Sequence, residues 1–363
     1  MDKLKIAREE IDHVDSEMAK LFIRRMHAVK LVSEYKLEHG LPVYDGARED
    51  AVIRKNVERL SDDAFSTYYV EFLRDVMKVS RQFQSRQMEG LRVAFSGVEG
   101  AFASIASYKI FPDATRVPHP DFESAYNAVV NGDCDVAVLP IENSTAGEVG
   151  QVVDMLFFGS LYVTGVYDFP ITQHLLGLPE ATIGDIREVY SHPQALAQCA
   201  AYIKEHGFEE RRAENTAIAA RAVAKAGDIH TAAIASEETA TLYGLKILEK
   251  NINEVSVNTT RFAVLSRAAV QDTRTDKHSI LMFTVRNEAG SLAKAINIIG
   301  SHGFNMRCLR SRPMKELLWQ YYFYVELEGN MNSDEGRAMR EELSSCCDKL
   351  KVLGSFSYSA KLD

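Results

Sequence analysis

Arg25 stands where the pattern around it calls for an apolar residue. Leu4, Ile11, Met18 and Val32 recur at seven-residue intervals, with Val14, Leu21 and Ala28 between them, and Arg25 takes the remaining a position of that helical seam. A charge in a seam is costly unless it is paired or faces a polar ligand. Lys36 follows eleven residues later, about three turns on and close to the same face. Asp45 and Arg48 open the next helical stretch, while Ser80 and Gln84, at i and i+4, share a face of a third. Singly these are a register-setting arginine and an N-cap aspartate. Together they describe a cationic cavity inside a helical bundle, suited to a small anion.

A second set of polar residues follows short apolar runs. "LPIENSTAGEV" ends its run with Glu142, Asn143, Ser144 and Thr145, and "YSHPQA" supplies Ser191, His192 and Gln194. "IASEETATLYGL" adds Ser236 and Glu237, and "SVNTTRFAVLSR" places Thr259, Thr260 and Arg261 at the mouth of a Phe262–Leu265 run. Each alone is turn or cap chemistry. Four buried strands ending in polar clusters favour a cleft beyond the strand ends of an α/β sheet. "GVEGAF" (Gly97–Phe102) lies between a strand and a helix, so its amides can face an anion, but it is not the dinucleotide fingerprint.

Three kinds of pattern must position these groups. From Asp2 to His39 there is neither glycine nor proline, so the spacing predicts one helix of roughly 57 Å, stopped by Gly40 and Pro42. Further helices are predicted over 46–60, capped by Asp45, and 64–88. Helices so unequal in length bury the long one poorly, and a helical dimer is the remedy. From Leu91 short apolar runs alternate with helical patterns, which predicts an α/β region over 91–267. "AAVQDTRTDK" reads as a polar linker, and 278–363 reads as βαββαβ, the ferredoxin-like order. The helical domain is expected over 1–88.

Composition narrows the classes. Apolar content of 46% with 26% charged residues is globular, and 42 basic against 51 acidic residues give net −9, which argues against a nucleic-acid binder. The five cysteines show no zinc spacing and read as reduced thiols, so no metal or organic cofactor is expected. The N-terminus "MDKLKIAREE" has no apolar signal core and no run approaches a membrane span. A cytoplasmic chain without membrane contact is expected.

The pattern "AREEID", "RR", "YK", "PVYDGARE", "SRQFQ" resembles the all-helical chorismate mutase family. The resemblance implies that Arg8, Arg25 and Arg48 bind the two carboxylates of chorismate, Asp45 and Ser80 position its hydroxyl end, and Lys36 and Gln84 donate to the ether oxygen. Such a rearrangement needs no nucleophile, only a cavity that fixes a reactive conformer and stabilises developing charge. Arg8 and Lys36 lie 28 residues apart, about 42 Å along one helix. If both serve one site, Arg8 must come from an antiparallel second subunit.

The α/β region resembles prephenate dehydratase through its "PIEN" and "TRF" signatures. That implies two α/β lobes around a cleft in which prephenate becomes phenylpyruvate. Thr260 would serve as donor to the leaving hydroxyl, with Glu142, Asn143 and Gln194 nearby and Arg261 and Phe262 shaping the site. Strand alternation sets Thr260 and Phe262 on one face and Arg261 on the other. The glycine loop "GVEGAFAS" departs from the microbial Gly-Pro form, and some relatives that prefer arogenate carry Gly-Val and Gly-Ala there. An arogenate dehydratase joined to the mutase, and a non-catalytic amino-acid sensor, are the alternative readings.

The βαββαβ tail resembles the ACT domain of such dehydratases, through "AGSLAKAINII" and "RSRPMKELLW". It implies feedback inhibition by phenylalanine, bound by Gly290, Ser291, Leu292 and Ala293 with Arg310, Ser311, Arg312 and Pro313. Arg310 replaces the glutamate usual in the second motif. The leading expectation is thus a bifunctional enzyme of phenylalanine biosynthesis, at least a homodimer.

Overall fold

The computed structural model describes residues 3–60, 63–255, 257–269, 277–314, 320–357 and 362. Most of the expected linker (270–276) and part of the second tail motif (315–319) lie outside the described residues. The chain divides into two compact units, Met1–Arg92 and Val93–Asp363.

The first unit is helical: α1 (Lys3–Glu38), α2 (Gly46–Val57) and α3 (Ser66–Glu89). Gly40 follows α1 in the left-handed region at φ 62°, where a side chain would be strained. Asp45 caps α2 by accepting from the Arg48 amide at 3.0 Å. Helix α1 packs on α3, yet Ser33 is the one buried residue among those described in α1. Its seam stays open, with Leu4, Ile11 and Leu21 each more than half exposed. A helix of 36 residues thus leaves an apolar face uncovered.

The second unit opens with a lobe built from β1 (Arg92–Ser96), α4 (Phe102–Ile110), β2 (Thr115–His119) and α5 (Phe122–Asn131). It continues through β3 (Val136–Asn143), β4 (Gly147–Glu148), α6 (Gly150–Phe158) and β5 (Tyr162–Pro170). A second lobe contains β6 (His174–Gly177), β7 (Glu188–Ser191), α7 (Pro193–Gln198), α8 (Ala200–His206) and β8 (Glu209–Arg212). It ends with α9 (Thr216–Ala226), β9 (Thr231–Ala235), α10 (Glu237–Tyr243) and β10 (Lys246–Glu249). The chain then returns to the first lobe as β11 (Thr259–Ser266). The first sheet has the order β2-β1-β3-β11-β5, with β4 on β3, and the second β10-β6-β9-β7-β8. Runs such as Val93–Phe95 and Ala232–Ala235 are buried throughout, as central strands covered on both faces must be.

The tail comprises β12 (His278–Thr284), α11 (Ser291–Ser301), β13 (Asn305–Pro313), β14 (Tyr321–Glu328), α12 (Asp334–Ser344) and β15 (Lys349–Phe356). Its sheet order is β13-β14-β12-β15. Alternation along β12 gives each face a different neighbour. Ile280 and Met282 join the core of the first lobe, whereas Leu281 and Phe283 pack with Ile298, Ile299, Met339 and Leu343 of the tail helices. The docking is close at Gly354, where an added Cβ would overlap the Val163 carbonyl oxygen of β5. Gly354→Ala is expected to destabilise this unit by about 2 kcal/mol or more, since backbone rather than a flexible side chain must yield. Urea unfolding followed by near-UV circular dichroism checks it.

Candidate active sites

In the helical unit, α1 and α3 bring three of the expected residues into contact. Arg25 donates to the Ser80 hydroxyl and, at 3.5 Å, to the Val76 carbonyl. Gln84 donates to the Ser80 carbonyl at 3.3 Å, and its Oε1 is buried with no hydrogen-bond partner among the described residues. Burial lowers the pKa of the Arg25 guanidinium from its usual value, the expected result of desolvating a charge. Lys36 donates to the Val43 carbonyl at 2.6 Å, which ties the end of α1 to the approach to α2. Asp45 and Arg48 are exposed at the start of α2. Arg8 is exposed near the other end of α1, about 42 Å from Lys36, and one chain does not unite them.

In the second unit a cavity of about 460 Å³ lies between the two lobes. Asn143, Thr260 and Phe262 line it from the first lobe, and Gln173, His192 and Gln194 from the second. Strands β3 and β11 run antiparallel with Asn143 directly opposite Thr260, which explains why two signatures 117 residues apart meet. Asn143 Nδ2 donates to Thr260 Oγ1 at 3.0 Å and to Asn258 Oδ1 at 2.9 Å. Asn143 Oδ1 accepts from Thr145 Oγ1 at 2.7 Å, from the Ala146 amide at 2.9 Å and from Gln194 Nε2 at 3.5 Å. With Oγ1 already accepting from Asn143, the Thr260 hydroxyl is set to donate into the cavity.

No lysine or arginine stands among the described lining residues, and one acid, Glu214, does. Positive potential comes instead from helix starts. Ala101, Phe102 and Ala103 at the start of α4, and Val149 before α6, line the cavity, and neither helix has a side-chain cap. First-turn amides without a capping side chain suit an anion. His192 accepts from the Gln194 amide through Nδ1 at 3.2 Å, and burial holds its pKa below the ordinary value.

Two expected members of this site lie elsewhere. Glu142 and Arg261 alternate with Asn143 and Thr260 and so point to the opposite face of the sheet, where the tail covers them. Arg261 bonds Glu326 at 2.8 and 3.0 Å and Glu142 at 3.3 Å, and lies 3.5 Å from Asp168. Neither residue is among those lining the cavity. Glu142 and Arg261, expected to act on and bind the substrate, thus belong in this structure to an ion-pair network behind the cavity.

Arg310 and Arg312 of the tail also reach the first lobe. Arg310 pairs with Glu142, and Arg312 with Glu148 and, at 3.1 Å, with Asp154. Their guanidinium groups thus bind the first lobe, while Ser311 and Pro313 are exposed on the other face of β13. Gly290 caps α11 at φ 84° with no side-chain bond, ahead of Ser291, Leu292 and Ala293. Leu292 lines a tail cavity of about 420 Å³ with Val285, Tyr321 and Phe323.

Gln173 gave no signal in the sequence. It sits in a two-strand link with no motif, between β5 and β6, and only the folded link brings it to the cavity. Among the described residues no group of three or more His, Cys, Asp or Glu side chains is placed to hold a metal ion, and no helix is long and apolar enough to cross a membrane.

Comparison with known proteins gives two family matches, chorismate mutase type II over residues 7–85 and prephenate dehydratase over residues 93–270. A bifunctional chorismate mutase/prephenate dehydratase of Aquifex aeolicus (strain VF5) is 31% identical, over 98% of this chain and 98% of its own. The solved structure of an Arthrobacter aurescens prephenate dehydratase in complex with L-Phe covers 74% of this chain and 90% of its own, with 26% identity and a TM-score of 0.69. A solved structure described as GqqA, a novel type of quorum quenching acylase, is 31% identical over 74% of this chain and 98% of its own, with a TM-score of 0.69.

Proposed function

Because the chain belongs to the family of bifunctional chorismate mutase/prephenate dehydratases, we propose that its helical unit rearranges chorismate to prephenate and its larger unit converts prephenate to phenylpyruvate. The observation that carries the dehydratase half is the Asn143–Thr260 pair at the wall of the inter-lobe cavity. In that step the bond from the ring to its carboxylate breaks, its electrons aromatise the ring, and the hydroxyl para to it departs. One proton is taken up, and water and carbon dioxide leave. Thr260 donates to the departing hydroxyl, Asn143, itself bonded by Gln194, holds Thr260 in that role, and Phe262 bounds the ring.

The lack of lysine and arginine among the described lining residues suits this chemistry. The carboxylate lost as carbon dioxide ends neutral, so a cation on it would stabilise the reactant more than the transition state. Neutral amides and helix starts bind the dianion without that penalty.

In the mutase half, Arg25, Ser80 and Gln84 form the buried part of the site, with Lys36 and Gln84 as donors to the ether oxygen and Asp45 and Arg48 at its rim. Arg8 enters from an antiparallel partner, and the exposed seam of α1 supports that homodimer. The tail is an ACT domain spanning 278–363, after a helical domain over 1–88 and a dehydratase domain over 91–267. It takes phenylalanine near Gly290–Ala293 as a feedback inhibitor, in a cytoplasmic homodimer or higher homo-oligomer. Membership of the family disfavours the non-catalytic sensor, and prephenate is preferred to arogenate as substrate.

Prephenate supplied alone is expected to yield phenylpyruvate, and added phenylalanine to suppress that yield. Prephenate left intact would refute the dehydratase half, and indifference to phenylalanine would refute the regulation.

A further inference from the structure

We propose that Gln173 binds substrate in the dehydratase cleft, its side-chain amide donating to the carboxylate that is not lost in the reaction; this rests on the dehydratase reading above. Gln173 is 2% exposed and lines the inter-lobe cavity, and its Oε1 has no hydrogen-bond partner among the described residues. Its backbone, by contrast, is held on both sides. The amide nitrogen donates to Asn253 Oδ1 at 3.1 Å, and the carbonyl accepts from the Ile252 amide at 3.0 Å. The fold therefore fixes where this residue stands and leaves its amide uncommitted. The buried Oε1 has lost water and gained nothing inside the protein, a liability that a turn of the amide, with the NH2 given to an acceptor on a ligand, would change.

Two other amides of the cavity wall, Asn143 and Gln198, are occupied. Asn143 is held by Thr260 and Asn258, and Gln198 donates to Thr145 Oγ1 at 3.2 Å. With no lysine or arginine among the described lining residues, a carboxylate must draw on neutral donors, and the Gln173 NH2 is one that no fold contact uses. The last torsion of a glutamine is broad, so the amide turns to present its NH2 at little cost.

Position favours the same end of the substrate. Thr260 pairs with Phe169 across β11 and β5, and Gln173 follows Phe169 by four residues. Ile171, between them, donates its amide to the Asn258 carbonyl at 2.8 Å, so the link stays alongside the approach to β11. Four extended residues span about 13 Å. If Thr260 meets the ring hydroxyl, the carbon para to it, with both carboxylates, points away from Thr260 into the cavity that Gln173 also lines, and Gln173 would meet it there. A donor on the departing carboxylate would oppose its loss of charge. A donor on the other carboxylate anchors reactant and transition state alike, and so acts on binding.

The test is Gln173→Met, which keeps length and removes the uncommitted amide. The KM for prephenate is expected to rise about tenfold with kcat within about twofold, the signature of uniform binding. Inhibition by phenylpyruvate, which retains that carboxylate, is expected to weaken by a similar factor. The melting temperature should not fall, since an unpaired buried oxygen has been removed. Gln173→Leu repeats the measurement should the methionine variant fold poorly. An unchanged KM, unchanged phenylpyruvate inhibition, or a lower melting temperature with normal kinetics would overturn the proposal. Wild-type chain inert towards prephenate would instead overturn the dehydratase reading itself.

Discussion

Thr260→Ala is expected to lower dehydratase kcat by about 10²–10³-fold, the usual loss when one well-placed donor to developing negative charge is removed. The effect should fall on kcat more than on KM. The hydroxyl is a modest acceptor in bound prephenate and a much stronger one as it departs, so the contact strengthens towards the transition state. Thr260 is 9% exposed and its Oγ1 accepts from Asn143 Nδ2. Removing it leaves that amide hydrogen still shared with Asn258 Oδ1 at 2.9 Å, so the fold should persist. Thr260→Ser keeps the hydroxyl and should retain most activity. Mutase turnover, which belongs to the helical unit, should be unchanged in both variants. A stopped assay with prephenate, read as phenylpyruvate absorbance, and a separate chorismate-consumption assay check the pair. Equal loss of both activities would point to misfolding instead.

Lys36→Ala and Arg8→Ala should each cut mutase activity by at least about 10²-fold, because each removes a charged donor from a site that works by fixing a conformer and stabilising developing charge. Their mixture should behave differently. In an antiparallel dimer each site takes Arg8 from one subunit and Lys36 from the other. A hybrid of the two variants therefore carries one doubly damaged site and one intact site. Random exchange makes half the dimers hybrid, so about a quarter of the sites, and of the wild-type rate, should return. No recovery after exchange, with hybrids verified by mass, would mean that Arg8 serves no shared site. The more-than-half-exposed Leu4, Ile11 and Leu21 on α1 are the residues expected to seal that dimer.

Much of this arrangement is legible in local pattern. The glycine- and proline-free stretch before Gly40 forms α1, ending at Glu38, and the runs before "PIEN" and "TRF" form β3 and β11. Strand alternation puts Thr260 and Phe262 in the cavity and turns Arg261 away. What local pattern cannot supply is the identity of the neighbour on the far face. Glu142 sits in a chemistry-bearing motif, but its partners Arg261 and Arg310 lie 119 and 168 residues further on. Only the docking of the tail sheet on the first lobe makes it structural. The same docking turns the guanidinium groups of Arg310 and Arg312 to the lobe's carboxylates, which no local pattern announces. Gln173 is the converse case: an ordinary residue in a short link, made informative by 2% exposure and an unpaired oxygen.

Giving the purified wild-type chain chorismate alone, and following chorismate, prephenate and phenylpyruvate together by chromatography, tests the two-reaction assignment most directly. Prephenate should appear first and decline as phenylpyruvate rises to match the chorismate consumed, with phenylalanine slowing the second phase. Chorismate that persists, or prephenate that accumulates without phenylpyruvate while no phenylalanine is present, would contradict it.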